Sequence, residues 1–207
     1  MHSLLNKYFS LLNPEIKEKL HGLEEIYTHW NSKINLVSRR DMDNFFLHHV
    51  IHSLSLIKYI DFGHGSRILD AGTGGGFPGI PLAIALPSCS FTLVDSKRKK
   101  INVVDNIIKD LDIENASAKW SRVEELNPGY NLIVSRAVAP FPDIVKWSRK
   151  LLVKNNDTGI TPGITSLKGG ELSSELEDFP LCHTYELKDV FEEDYFIEKK
   201  IVYLPCM

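Results

Sequence analysis

The stretch LDAGTGGGFPGIPLAI, residues 69–84, decides how the rest of the chain is read. Glycine costs backbone entropy. A cluster at Gly72, Gly74, Gly75 and Gly76, followed by Phe77-Pro78-Gly79, therefore marks a backbone that takes φ > 0 or passes very close to something. RILDA before the cluster has the length of a strand, and IPLAIALP after it reads as a helix stopped by Pro87. A glycine turn between strand and helix sits where open α/β sheets hold ligands, outside the carboxyl ends of their strands.

Downstream the same alternation continues. SFTLVD predicts a second strand ending at Asp95, SKRKKINVVDNIIKDL a long helix, and ASAKW and NLIVSRA two further strands. FPDIVKWSRKLLV predicts another helix and GITSLKGG a fifth strand. Strands separated by helix-length segments argue for βαβ units and a parallel sheet. Two late strands, around 182–187 and in EKKIVYLP, are joined by the short KDVFEEDYFI and are expected to be antiparallel.

Upstream, residues 1 to about 60 carry helical spacing and no strand signal. Leu4, Leu5, Tyr8, Leu11 and Leu12 form one stripe. Asn13-Pro14 restarts the chain as a second helix with Ile16, Leu20, Leu23 and Ile26 on its apolar face. NSKINLVSRRDMDN reads as a polar connection, and FFLHHVIHSLSLIKYI as a third helix ending near Gly63. The expected organisation is a helical region, 1–63, packed on an α/β domain, 64–207, whose mostly parallel sheet has an antiparallel last strand.

The 207 residues suit one domain, and 43% hydrophobic with 25% charged residues is enough for a sizeable core. A net charge of −3 announces neither nucleic acid nor membrane. Cys89, Cys182 and Cys206 are odd in number and far apart, which predicts a reducing compartment without a structural disulfide or zinc. The first twenty residues do not read as a signal peptide, and no run is long enough to span a bilayer. A cytoplasmic, monomeric protein without a metal is expected.

Gly74, Gly76 and Gly79 satisfy GxGxxG, so a dinucleotide must be weighed. Asp70, two residues before Gly72, would repel a pyrophosphate but suits a ligand carrying an ammonium and a sulfonium. Asp95 follows Gly76 by nineteen residues, the position from which an acid grips ribose hydroxyls. S-adenosylmethionine fits both acids, and NAD fits one.

DAGTGGGFPGIPLAI, LVDS before a basic helix start, SRVEEL, SRAVA and LKGG occur here in the order seen in the bacterial glucose-inhibited division protein B family. INLVSRRD and HHVIHSL also resemble its N-terminal region, so the likeness covers nearly the whole chain. That family comprises guanine-N7 methyltransferases of small-subunit (16S) ribosomal RNA. The resemblance implies a class I, Rossmann-like methyltransferase fold, S-adenosylmethionine as cofactor, and 16S rRNA or the small subunit as partner.

It also assigns roles. Gly72, Gly74, Gly76 and Phe77 would form the cofactor loop, with Asp70 at the methionine end and Asp95 at the ribose. Val123 and Glu124 would contact adenine, although Ser121 to Glu124 also reads as a capping box. Arg136, after the fourth strand, would contact cofactor and target nucleotide and act as the catalytic residue. His49 matches the family's histidine in its helix and would reach the substrate side; by their local charge, Lys168 and the basic run with Lys97 and Arg98, which Lys33, Arg39 and Arg40 extend, are candidates for RNA phosphate contacts.

The local chemistry agrees through what is missing. Guanine N7 has an in-plane lone pair, so no base need remove a proton before attack. No Asn/Asp-Pro-Pro-aromatic motif for an exocyclic amine and no Pro-Cys nucleophile follow the fourth strand. His48 and His52 stand four apart on a helix, but without a third ligand or HExxH a metal is not expected. Two departures from the family stand out. His52 replaces its usual aspartate, removing any salt bridge that acid makes, and the turn 154–166 has an unusual composition. The competing readings are the same fold acting on another substrate, a non-catalytic RNA- or ribosome-binding protein, and last an NAD enzyme, for which no Tyr-x-x-x-Lys follows the fourth strand.

Overall fold

A computed structural model describes residues 2–154 and 158–206, with the side chains of residues 2, 3, 39 and 40 outside the described set. The expectations for the Arg39 and Arg40 side chains, and residues 155–157 at the start of the 154–166 turn, therefore lie outside it.

Seven strands form one sheet in the order β3-β2-β1-β4-β5-β7-β6. They are β1 (Arg67–Ala71), β2 (Ser90–Asp95), β3 (Ala116–Trp120), β4 (Leu132–Arg136), β5 (Gly163–Gly169), β6 (His183–Glu186) and β7 (Lys199–Pro205). The first five run parallel, while β7 lies antiparallel between β5 and β6. The order reverses between β1 and β4, so the gap at their carboxyl ends is where such a sheet opens a crevice.

Alternating side chains along the strands feed two cores. Ile68, Leu93 and Val134 face one side with α4 (Gly79–Ala85) and α5 (Arg98–Asp110). Leu69, Val94 and Ile133 face the other with α6 (Phe141–Ser148) and α7 (Ser173–Leu176). The N-terminal helices join the first core, with Leu5, Leu20, Leu23 and Tyr27 fully buried there.

Two N-terminal expectations are corrected. The first helix, α1 (His2–Tyr8), stops before the end of its apolar stripe and leaves Leu11 fully exposed. The next residues turn toward Asn13, whose side chain caps α2 (Pro14–Asn31) by accepting from Ile16 N at 2.8 Å. The third helix is not one regular helix. Phe46–Ile51 is a π turn, α3 (His52–Leu54) one α turn and Ser55–Lys58 a 3-10 turn, and the expected connection before them itself carries a 3-10 turn at Arg39–Asn44. The π turn sits against the crevice, and such widenings cluster at functional sites.

Candidate functional site

The glycine loop is folded by two acids. Asp70 is fully buried behind it, and its Oδ2 accepts from Thr73 Oγ1 at 2.6 Å and Gly79 N at 2.8 Å, tying the loop's two ends together. Asp95 Oδ2 accepts from Gly74 N at 3.0 Å and its Oδ1 from Lys97 N at 2.7 Å, which joins the loop to the end of β2. Tyr27 reaches in from α2 and donates to Gly75 O at 2.6 Å. Gly72 has φ +72°, and a Cβ there would stand 2.6 Å from Val138 Cγ1, so the loop passes directly under the residues following β4.

Asp70 Oδ1 has no hydrogen-bond partner. Burial pushes this carboxyl up to about 7, against the pull of the Thr73 and Gly79 bonds. Between the unfolded value near 3.8 and the folded one, the folded chain holds a proton that the unfolded chain has released. Stability from this group therefore falls as pH rises across that window. In urea titrations at pH 5 and 7.5, Asp70→Asn should lose less stability on going up in pH than the parent. Parallel losses in the two proteins would refute the assignment.

The crevice holds a cleft of about 470 Å³, within the usual range for small-molecule sites. One end is walled by Ser121, Val123 and Glu124, the middle by the glycine loop and Asp95, and the other end by Phe77, His49 and Arg136. Phe77 packs among Tyr27, Phe45 and His49, and the Arg136 guanidinium lies over its ring, 5.0 Å from the centroid. Arg136 Nη1 donates to His48 O at 2.8 Å, and Nη2 stands 2.6 Å from His49 Nδ1. Ala137 follows with φ +53°, a conformation costly for a residue with a side chain, and turns the backbone along the cleft wall.

These residues fit an adenosyl ligand. Each Asp95 oxygen meets one backbone amide and keeps a lone pair for a hydroxyl. Val94 and Val123 supply apolar wall, and the glycine loop leaves main-chain groups uncovered by side chains.

A family model described as rRNA small subunit methyltransferase G (GidB) matches residues 16–190. The chain belongs to this family. A Ribosomal RNA small subunit methyltransferase G of Christiangramia forsetii is 52% identical over 98% of this chain and 96% of its own length. One from Porphyromonas gingivalis is 44% identical over 98% and 92% respectively. Among solved structures, a SAM-dependent O-methyltransferase from Thermotoga maritima matches with TM-score 0.55 at 15% identity, covering 88% of this chain and 71% of that one. A putative rRNA-methylase from Clostridium thermocellum gives 0.54 at 14% identity, covering 77% and 97%. The fold is that of class I methyltransferases, and the family is S-adenosylmethionine-dependent.

Within this family member, Gly72, Gly74, Phe77, Asp95, Val123, Glu124, Arg136, His49 and Lys97 all line the cleft. Asp70 and Gly76 do not: Gly76 is a buried turn of the loop at φ +99°, and Asp70, fully buried behind the loop, shapes it rather than facing the cleft. Arg98 lies outside the lining with its guanidinium 5.1 Å over the Trp120 ring. Lys168 is also outside: its ammonium donates to Ala139 O at 2.9 Å and pairs with Glu175. The capping acid beside the cleft is Glu125, which accepts from Arg122 N at 3.2 Å, so the box is one residue later than its pattern suggests and Glu124 is left for the cleft.

His52 is buried without an acid partner, its Nδ1 2.9 Å from Tyr195 Oη and its ring edge-on to Phe196. An aromatic contact thus docks this segment in place of a salt bridge. Leu36, Trp147 and Val138 also line the cleft, and none of them was assigned a role from the sequence. Among the described residues no group of three His, Cys, Asp or Glu side chains could hold a metal, and no helix is long and apolar enough to cross a membrane.

Proposed function

We propose that this chain methylates N7 of a guanine in 16S ribosomal RNA of the small subunit. Membership of the rRNA small subunit methyltransferase G family, at 52% identity over 98% of the chain, carries this reading. S-adenosylmethionine held in the cleft would supply a methyl on positively charged sulfur; the N7 lone pair would take it, the S–C electron pair would stay on sulfur, and no proton would need to move.

The site suits a reaction without a base. His49, the imidazole in the cleft, has both ring nitrogens engaged, by Arg136 and Asp41. Asp95 would hold the ribose, and Val123 and Glu124 the adenine. Phe77 would close the cleft beside the methyl, and the remaining guanidinium N–H groups of Arg136 would meet oxygen acceptors of the target nucleotide. Catalysis then rests on positioning and exclusion of water.

Lys97 and Lys100 line the mouth of the cleft and would meet RNA phosphates. Arg98 would serve the same face, and Lys168 would support the rim through Glu175. Replacing Lys97 and Lys100 by Ala should weaken binding to small-subunit rRNA and flatten its log–log salt dependence by about one unit per lysine. An unchanged salt slope would remove them from the interface.

The reading is tested by single-turnover transfer from labelled S-adenosylmethionine to deproteinised rRNA and to intact subunits from cells lacking this gene. Label recovered as 7-methylguanine at one site supports it. Cofactor binding without label in either RNA overturns it.

A further inference from the structure

We propose that Asp41 is a positioning residue for the methyl transfer: it fixes His49 as the Nε2–H tautomer, whose Nδ1 then holds the Arg136 guanidinium toward the cleft. The catalytic consequence rests on the function proposed above; the hydrogen-bond chain does not.

A guanidinium has only donors and stays charged. Facing Arg136 Nη2 at 2.6 Å, His49 Nδ1 must therefore be an acceptor, which leaves the ring neutral with its proton on Nε2. That nitrogen stands 2.6 Å from Asp41 Oδ2, the acceptor it needs. Burial, with the charge of Arg136, pushes His49 down to about 4, so the neutral ring persists at working pH. The other Asp41 oxygen pairs with His48 Nδ1.

The second bond to Arg136 has the same source. In the π turn, His52 N bonds the carbonyls of Leu47 and His49 and passes over that of His48. The freed His48 O receives Arg136 Nη1 at 2.8 Å and Tyr195 Oη at 3.3 Å. Both groups that grip the guanidinium thus belong to adjacent residues, and Asp41 pins both of their rings. Asp41 lies in the turn Arg39–Asn44 with its side chain 32% exposed, so the chain runs from the surface to the cleft.

The test pairs a spectroscopic readout with kinetics. In the 15N-histidine-labelled full chain at pH 7, His49 should show the Nε2–H tautomer, and Asp41→Ala should give a tautomer mixture. Single-turnover transfer by Asp41→Ala should fall tenfold or more, with cofactor affinity within twofold of the parent. In His49→Asn the amide oxygen takes the place of Nδ1 and no ring remains to orient. Adding Asp41→Ala to that variant should then cost less than twofold.

A His49 imidazolium or Nδ1–H tautomer in the unmutated protein overturns the proposal without any variant having to fold. An equal loss from Asp41→Ala in both backgrounds overturns it too, leaving Asp41 a structural residue. Absence of methyl transfer to any RNA would sink the proposed function instead, while the tautomer still decides the hydrogen-bond chain.

Discussion

Replacing Arg136 by Ala lowers single-turnover methyl transfer by about 10²–10³-fold, the size of effect seen when one preorganised donor is removed from an active site. The guanidinium is held on three sides, by His48 O, by His49 Nδ1 and by the Phe77 face, so its pose is set before substrate arrives. Such preorganisation is what makes a single group worth that much. Cofactor affinity should change far less, because on the proposed reading the loop and Asp95 would make most of that contact. Arg136→Lys should not restore the rate, since an ammonium cannot occupy both bonds and still present donors in a plane. Melting temperature separates this from misfolding. A variant that melts within a few degrees of the parent yet transfers methyl at the parent's rate would remove Arg136 from the chemistry.

Gly79→Ala should destabilise the protein, although alanine in a helix is ordinarily better than glycine by about 1 kcal/mol. A Cβ at this position would lie 2.6 Å from Asp70 Oδ2 and 2.7 Å from Leu93 Cγ. Neither neighbour can retreat: both are fully buried, and the carboxylate is fixed by Thr73 and by Gly79's own amide. Overpacking of this kind costs about 1–3 kcal/mol, which outweighs the helix gain. For a chain of this size that is a fall of about 2–4 °C in melting temperature per net kcal/mol. Cofactor affinity should fall with it, because the displaced carboxylate is the tie between the ends of the loop. A melting temperature at or above the parent's would show that the packing argument fails.

The features legible in the sequence were those whose chemistry is local. The loop announced itself because only glycine takes its turns cheaply, and Asp95 and Arg136 because they end strands that pattern alone identifies. Spacing could place Asp70 beside the loop but not say which side of it the carboxylate would face. What stayed hidden depends on partners far along the chain. The π turn at Phe46–Ile51 frees a carbonyl for a guanidinium eighty-eight residues away, which no helical periodicity encodes. Ala137 gives no hint of its φ of +53°, and Leu36 enters the cleft from a segment that reads as a polar connection. Lys168 looked like a free phosphate contact because its partner, Glu175, lies beyond a turn.

The place of β7 bears on how the molecule comes into being. β6 precedes it in the chain but touches the sheet only through it. A ribosome that has made β6 and not yet β7 therefore carries a nascent chain whose sheet stops at β5. Tyr195, whose ring stacks on His48 at 3.9 Å, lies between β6 and β7 and is made in that same interval. In the order of synthesis the parallel strands come first, and the antiparallel edge of the sheet arrives together with the ring that packs on His48.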